Sequence, residues 1–99
     1  MFVHTVYFWL HDTAAVSAGE QIIADCRELL TRIPGVVHLW AGKAVPSTRA
    51  VVDGSFAAGL TVVFADAAAH EVYQTHELHL QFIARNKASW SRVQVYDFE

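Results

Sequence analysis

The 99 residues leave room for one hydrophobic core and no second domain. Of them 54% are hydrophobic and 12% aromatic, more apolar surface than so small a chain readily hides from water. Seven Lys and Arg against ten Asp and Glu give a net charge of −3, and the basic side chains are scattered without the positive stripe a phosphate backbone requires, so no nucleic-acid partner is expected.

The apolar run Phe2 to Leu10 is too short to span a bilayer and lacks the positive flank of a secretory signal. No membrane partner is expected, and the run reads as a strand with bulky β-formers on both parities, covered on both faces. Asp12 and Thr13 offer N-cap oxygens for a helix whose apolar row is Val16, Ile22, Ile23, Cys26, Leu29, Leu30 and Ile33. Pro34-Gly35 is its stop signal. Cys26 is alone, which excludes an intrachain disulfide and a cysteine-rich zinc module and fits a reducing cytoplasm.

Val36 to Ala41 reads as a second strand and Gly42 to Ser55 as a long connection of the kind that is often functional or mobile. Phe56 to Phe64 forms a third strand, where Ala57, Ala58 and Gly59 leave space beside the sheet. Asp66 caps a helix through Tyr73, a second helical piece runs from about His76 to Lys87, and Trp90 to Phe98 closes the chain as a fourth strand. The order β-α-β-β-α-β, with its second helix broken, predicts one α+β domain over residues 1–99 of the ferredoxin-like type. Its four-stranded antiparallel sheet carries two helices on one face. Val3, Tyr7 and Trp9 would then lie on the uncovered face, and an apolar patch there predicts a two-fold homodimer through the sheet.

Six histidines are many for this length. His4 shares its parity with Phe2, Val6, Phe8 and Leu10, so it points between sheet and helices, either as a paired core histidine or as an orienting group in a pocket. Tyr73, His76 and His79 recur every three residues along one side of a helix. A helix starting near His76 puts His79 close to its positive end, which lowers the imidazole pKa toward the neutral form that a general base needs. We therefore read His79 as a base and Tyr73 as a hydroxyl that orients or polarises a carbonyl; the alternative is a partly exposed histidine beside a core tyrosine. His76 and His79 are close enough to share an ion, with His70 or His4 as further donors. No His-Glu-x-x-His or paired-cysteine motif accompanies them, so no metal is expected. Nucleotide loops and nucleophile elbows are also missing, and no cofactor is expected. Trp9, Trp40 and Trp90 read as core or interface residues, and His11 and His38 as surface residues without a role.

The opening Met-Phe-Val-His4-Thr-Val-Tyr-Phe-Trp, the exit Ile33-Pro34-Gly35-Val36, the strand end Gly42-Lys43, the stretch Tyr73-Gln-Thr-His76-Glu-Leu-His79 and the closing Val95-Tyr96-Asp97-Phe98 together resemble the dimeric α/β-barrel stress-response family, called Dabb. The resemblance spans nearly the whole chain and implies the dimeric barrel. It also implies a pocket, because the family includes a plant polyketide cyclase that closes its product by aldol condensation without a cofactor. His4, Tyr73 and His79 match residues lining that pocket, His79 at the position of the proposed base. His76 matches the first histidine of the family's His-Pro-Ala-His stretch, with Glu77 and Leu78 in place of the Pro-Ala pair. Cys26 stands where the cyclase has a pocket tyrosine, and Ala58 roughly where it has another pocket histidine.

Two functions follow as expectations. In the first, His79, Tyr73 and His4 abstract a proton beside the carbonyl of a small apolar ligand, which His76, Phe8 and Cys26 help to hold. In the second, the chain is a non-catalytic stress-response or ligand-binding homodimer with structural histidines.

Overall fold

The computed structural model describes residues 1–99. Phe2–Leu10 forms the first strand, β1, with His4, Val6 and Phe8 buried on one face and Val3, Thr5, Tyr7 and Trp9 half-buried on the other. This alternation is the period-2 geometry of a strand. Helix α1 spans Ala18–Leu29 and buries Ala18, Ile22, Ile23, Asp25, Cys26 and Leu29. It begins later than the sequence predicts. His11 N–H donates to the Ser89 carbonyl at 3.0 Å, tying the end of β1 to the base of the last strand, and two turns closed by Ala14→His11 and Ala18→Ala15 bonds follow before the helix starts. Asp12 and Thr13 therefore cap nothing, the N-cap is Ser17 without a side-chain bond, and Val16 is fully exposed.

After one 3-10 turn, Leu30–Arg32, the chain leaves through Pro34-Gly35. Gly35 has φ +93, and a Cβ there would come within 3.1 Å of Ala69 Cβ, so both backbone and space demand glycine. Val36–Gly42 is β2 and Ala58–Phe64 is β3, two residues shorter at its start than expected. Phe56 is not in the strand: its ring packs edge-on against Tyr7 at 5.0 Å on the outer sheet face. The space that Gly59 leaves is taken by these same two rings, since a Cβ there would lie 3.2 Å from Phe56 and 3.5 Å from Tyr7.

Helix α2, Ala67–Thr75, is capped as predicted, the Asp66 carboxylate accepting from Ala69 N–H. His76 is extended (φ −65, ψ 143), which separates α2 from α3, Glu77–Asn86. Trp90–Phe98 is β4. The sheet order is β2-β3-β1-β4 with every neighbouring pair antiparallel, and the fold is the ferredoxin-like α+β fold with its second helix divided, β-α-β-β-α-α-β. No helix is long and apolar enough to cross a membrane.

The core lies between the sheet and the helices, where Val6, Phe8, Leu60, Val62 and Phe64 of the strands meet Ile22, Cys26, Leu29, Tyr73 and Phe82 of the helices. The β1–β4 register sets His4 opposite Asp97, Val6 opposite Val95 and Phe8 opposite Val93, so these residues share the helix-side face. The helices stop short of β4, leaving Val93 and Val95 about 40% exposed on that face (39% and 41%). A cavity opens in the gap.

Candidate functional site

The cavity has a volume of about 320 Å³, large enough for a small organic molecule. His4, Phe8, Tyr73, His79, Trp90 and Asp97 are among its lining residues, with His70 and Gln74 beside them. β1 and β4 supply one wall, and the broken helix supplies the other. The connection between β2 and β3 lines none of it; that segment lies at the outer face, where Ser55 Oγ accepts from Trp9 Nε1 at 3.0 Å.

His79 sits in the first turn of α3, and its Nδ1 lies 2.9 Å from the Gln74 carbonyl oxygen. A carbonyl only accepts, so Nδ1 carries the proton and the neutral ring keeps a free lone pair on Nε2. Its pKa is lowered from 6.5, chiefly by burial; the Gln74 bond opposes the shift and His70 adds to it. The direction is the expected one, though burial rather than the helix dipole leads it. Tyr73 is buried, its ring 4.5 Å from that of His79 and 5.0 Å from that of Phe64. Burial, seconded by the Cys26 thiol, raises the phenol pKa far above its usual 10.0, so the hydroxyl stays a proton donor.

His4 is buried at the other side of the cavity. Its Nδ1 lies 2.5 Å from Asp97 Oδ1, an arrangement that fixes the protonated nitrogen and leaves Nε2 as an acceptor. Desolvation lowers the His4 pKa and outweighs the opposing hydrogen bond and charge of Asp97; the nearby His70 and His79 also lower it. The His4 ring is 4.8 Å from that of His70 and 5.8 Å from that of Tyr73.

Of the six residues singled out from the sequence, His4, Phe8, Tyr73 and His79 therefore line one cavity. The other two do not. His76 spends its Nδ1 on the N–H of Leu78 at 3.0 Å, as the N-cap of α3. Cys26 is 1% exposed in the core, its thiol pushed up to about 12 by burial and by the neighbouring Asp25. A helix break puts the first outside the cavity, and the inward face of α1 puts the second beneath it. Asp97 and Gln74 were given no place in the site by sequence reasoning, and His70 only that of a further donor to a metal that was not expected. Asp97 is recognisable only once strand pairing sets it opposite His4.

The family described as Stress responsive A/B Barrel Domain, Dabb, matches residues 2–99. The chain belongs to the Dabb family. Among solved structures, a Dabb family protein with a ferredoxin-like fold from Mesorhizobium loti is 24% identical with a TM-score of 0.78, over 99% of this chain and 94% of its own. A dimeric ferredoxin-like protein of unknown function from Thermobifida fusca is 20% identical with a TM-score of 0.81, covering 98% of this Dabb chain and 88% of its own. A hydroxynitrile lyase from Passiflora edulis is 19% identical with a TM-score of 0.79, over 98% and 90%. These likenesses establish the Dabb fold. No curated protein matches the chain in sequence.

Proposed function

We propose that this Dabb domain is a homodimer whose cavity takes a small apolar carbonyl compound and removes a proton beside the carbonyl, without a cofactor. The observation that carries the reading is the His79–Gln74 bond, which leaves the basic nitrogen of a neutral imidazole free on the wall of an apolar cavity. His79 Nε2 takes the proton, and the Tyr73 hydroxyl donates to the oxygen that gains charge. His4 presents an acceptor nitrogen, with Asp97 behind it, and so suits a substrate hydroxyl better than a carbonyl oxygen. Phe8, Val93 and Trp90 supply the apolar wall. The enolate so formed can attack a second carbonyl, as in a ring closure, or be reprotonated.

The homodimer is supported by the outer sheet face, where Trp40, Tyr96 and Phe98 are exposed next to half-buried Val3 and Tyr7, and by the similar structures described as dimeric. Residence in the cytoplasm belongs to the same proposal, supported by the free thiol of Cys26.

The test is exchange of the α-protons of small alkyl and aryl β-keto esters in D₂O, followed by NMR. Catalysed exchange that falls about 100- to 10,000-fold in His79→Ala is expected, together with a rate that climbs with pH to a plateau through a pKa below 6.5. Exchange that is indifferent to His79→Ala would overturn the assignment. A second reading, a non-catalytic binding module, is favoured by the nine hydrophobic residues among the fourteen that line the cavity; saturable binding without exchange is its signature.

A further inference from the structure

His70 has no part in the proton chemistry above, yet it is 7% exposed and its Nε2 is buried without a hydrogen-bond partner. Native chains leave few buried polar atoms unpaired, because each forfeits its hydration without return. The position of His70 offers a reason. One nitrogen of His70, one of His4 and one carboxylate oxygen of Asp97 lie within 4.8 Å of one another. We propose that His4, His70 and Asp97 form a binding site for a divalent transition-metal ion of the zinc and cobalt class.

Two imidazoles and one carboxylate are a donor set for borderline ions, whereas Mg²⁺ and Ca²⁺ prefer oxygen alone. Ligands about 2.0–2.2 Å from a tetrahedral zinc ion stand roughly 3.3–3.6 Å from each other, so the three side chains close on an ion by small movements. His4 and Asp97, now 2.5 Å apart, must separate as the ion replaces their shared proton. Asp97 has the room to move, with a side chain 37% exposed at the rim. Three protein ligands leave one coordination position open, the pattern of zinc sites that bind a small molecule, and all three residues line the same cavity as Tyr73 and His79.

Gln74 supplies the outer support such a site needs. Its amide lies 3.2 Å from His70 Nδ1. Nitrogen and oxygen of a side-chain amide exchange places on a half-turn. With the oxygen toward the ring, Gln74 accepts from Nδ1–H and leaves the His70 Nε2 lone pair for the ion, as metal-bound imidazoles usually hold their other N–H on an oxygen. The site does not depend on His79 acting as a base and would hold an ion equally in a protein that only binds ligands; because the ion takes the place of the proton shared by His4 and Asp97, the cofactor-free reaction above belongs to the metal-free chain.

The experiment titrates the untagged, metal-stripped chain with Co²⁺, Zn²⁺ and Mg²⁺, read by calorimetry, visible absorption and imidazole NMR. One Co²⁺ per chain is expected, with the visible bands of a low-coordinate ion, displaced by Zn²⁺ and not by Mg²⁺. In the unmodified protein Co²⁺ should erase the ring signals of His4 and His70 before those of His11 and His38, a readout that needs no variant to fold. His70→Ala should weaken binding at least about 10-fold, and Gln74→Ala about 10- to 100-fold. No stoichiometric uptake, or uptake that broadens His11 and His38 first and survives His70→Ala, overturns the site. An unmodified chain that binds Co²⁺ but, stripped of metal, catalyses no α-proton exchange would count against the base assignment and not against the metal site.

Discussion

Asp97 and His4, 93 residues apart in the chain, meet at 2.5 Å across the β1–β4 pairing, oxygen to ring nitrogen. The carboxylate works against the desolvation of the imidazole, both as a hydrogen-bond acceptor and as a charge. In Asp97→Asn the charge is lost while an acceptor remains. The pKa of His4, already below 6.5, should fall further, and the ring should keep its proton on Nδ1. Imidazole nitrogen shifts followed through a pH titration read both quantities; an unchanged or raised His4 pKa would contradict the pairing.

The two depressed imidazoles give stability a definite dependence on pH. Well above pH 6.5, the ordinary value, His4 and His79 are neutral in the folded and the unfolded chain alike. As the pH falls through that value the unfolded chain takes up protons that the folded chain refuses, so stability drops. The decline ends once the pH lies below the lowered folded pKa values. Urea unfolding at intervals between pH 8 and pH 5, values on the order of the histidine range, should show a plateau followed by this fall. The slope should shrink in His79→Gln, which cannot titrate.

Asp25 is a buried carboxylate, 2% exposed on the inner face of α1. It is held by Asn86 Nδ2 at 3.0 Å and Gln21 Nε2 at 2.8 Å, with the Arg85 guanidinium 3.5 Å away. The Asn86 bond fastens α3, the helix that carries His79, to α1. Asn86→Ala strips one partner from a buried charge and should cost about 1–3 kcal/mol, or roughly 4–8 °C in Tm for each kcal/mol in a domain of this size. Arg85→Ala, which removes a guanidinium that is itself half-exposed, should cost less. Thermal unfolding of the two variants side by side checks the ranking.

The outer sheet face tests the assembly. A stable dimer covers roughly 800 Å² per partner, and the exposed rings of Trp40, Tyr96 and Phe98 stand on that face with Tyr7 and Trp9. Tyr96→Asp places a charge amid those rings and should convert a micromolar dimer to a folded monomer in sedimentation equilibrium, with the circular dichroism of the helices kept. A dimer indifferent to this substitution would place the interface elsewhere.

The alternation His4, Val6, Phe8 and the cap at Asp66 were legible in the sequence because strand parity and N-cap bonding involve residues within a few positions of one another. The break at His76 was legible for the same reason, and with it the placement of His79 in a first helical turn. The start of α1 was misread from an equally local signal. Asp12 and Thr13 are sound caps in isolation, but the bond from His11 to Ser89, made across most of the chain, holds the backbone in turns there. The site divides along the same line. His4, Phe8, Tyr73 and His79 could be named from parity, spacing and family resemblance. Asp97, His70 and the withdrawal of Cys26 into the core were decided by the register of β4 on β1, by the crossing of α2 over Phe2 and His4, and by the inward face of α1. Local chemistry determines which way a side chain points from its own element; only the packing of elements far apart in the chain decides what it meets there.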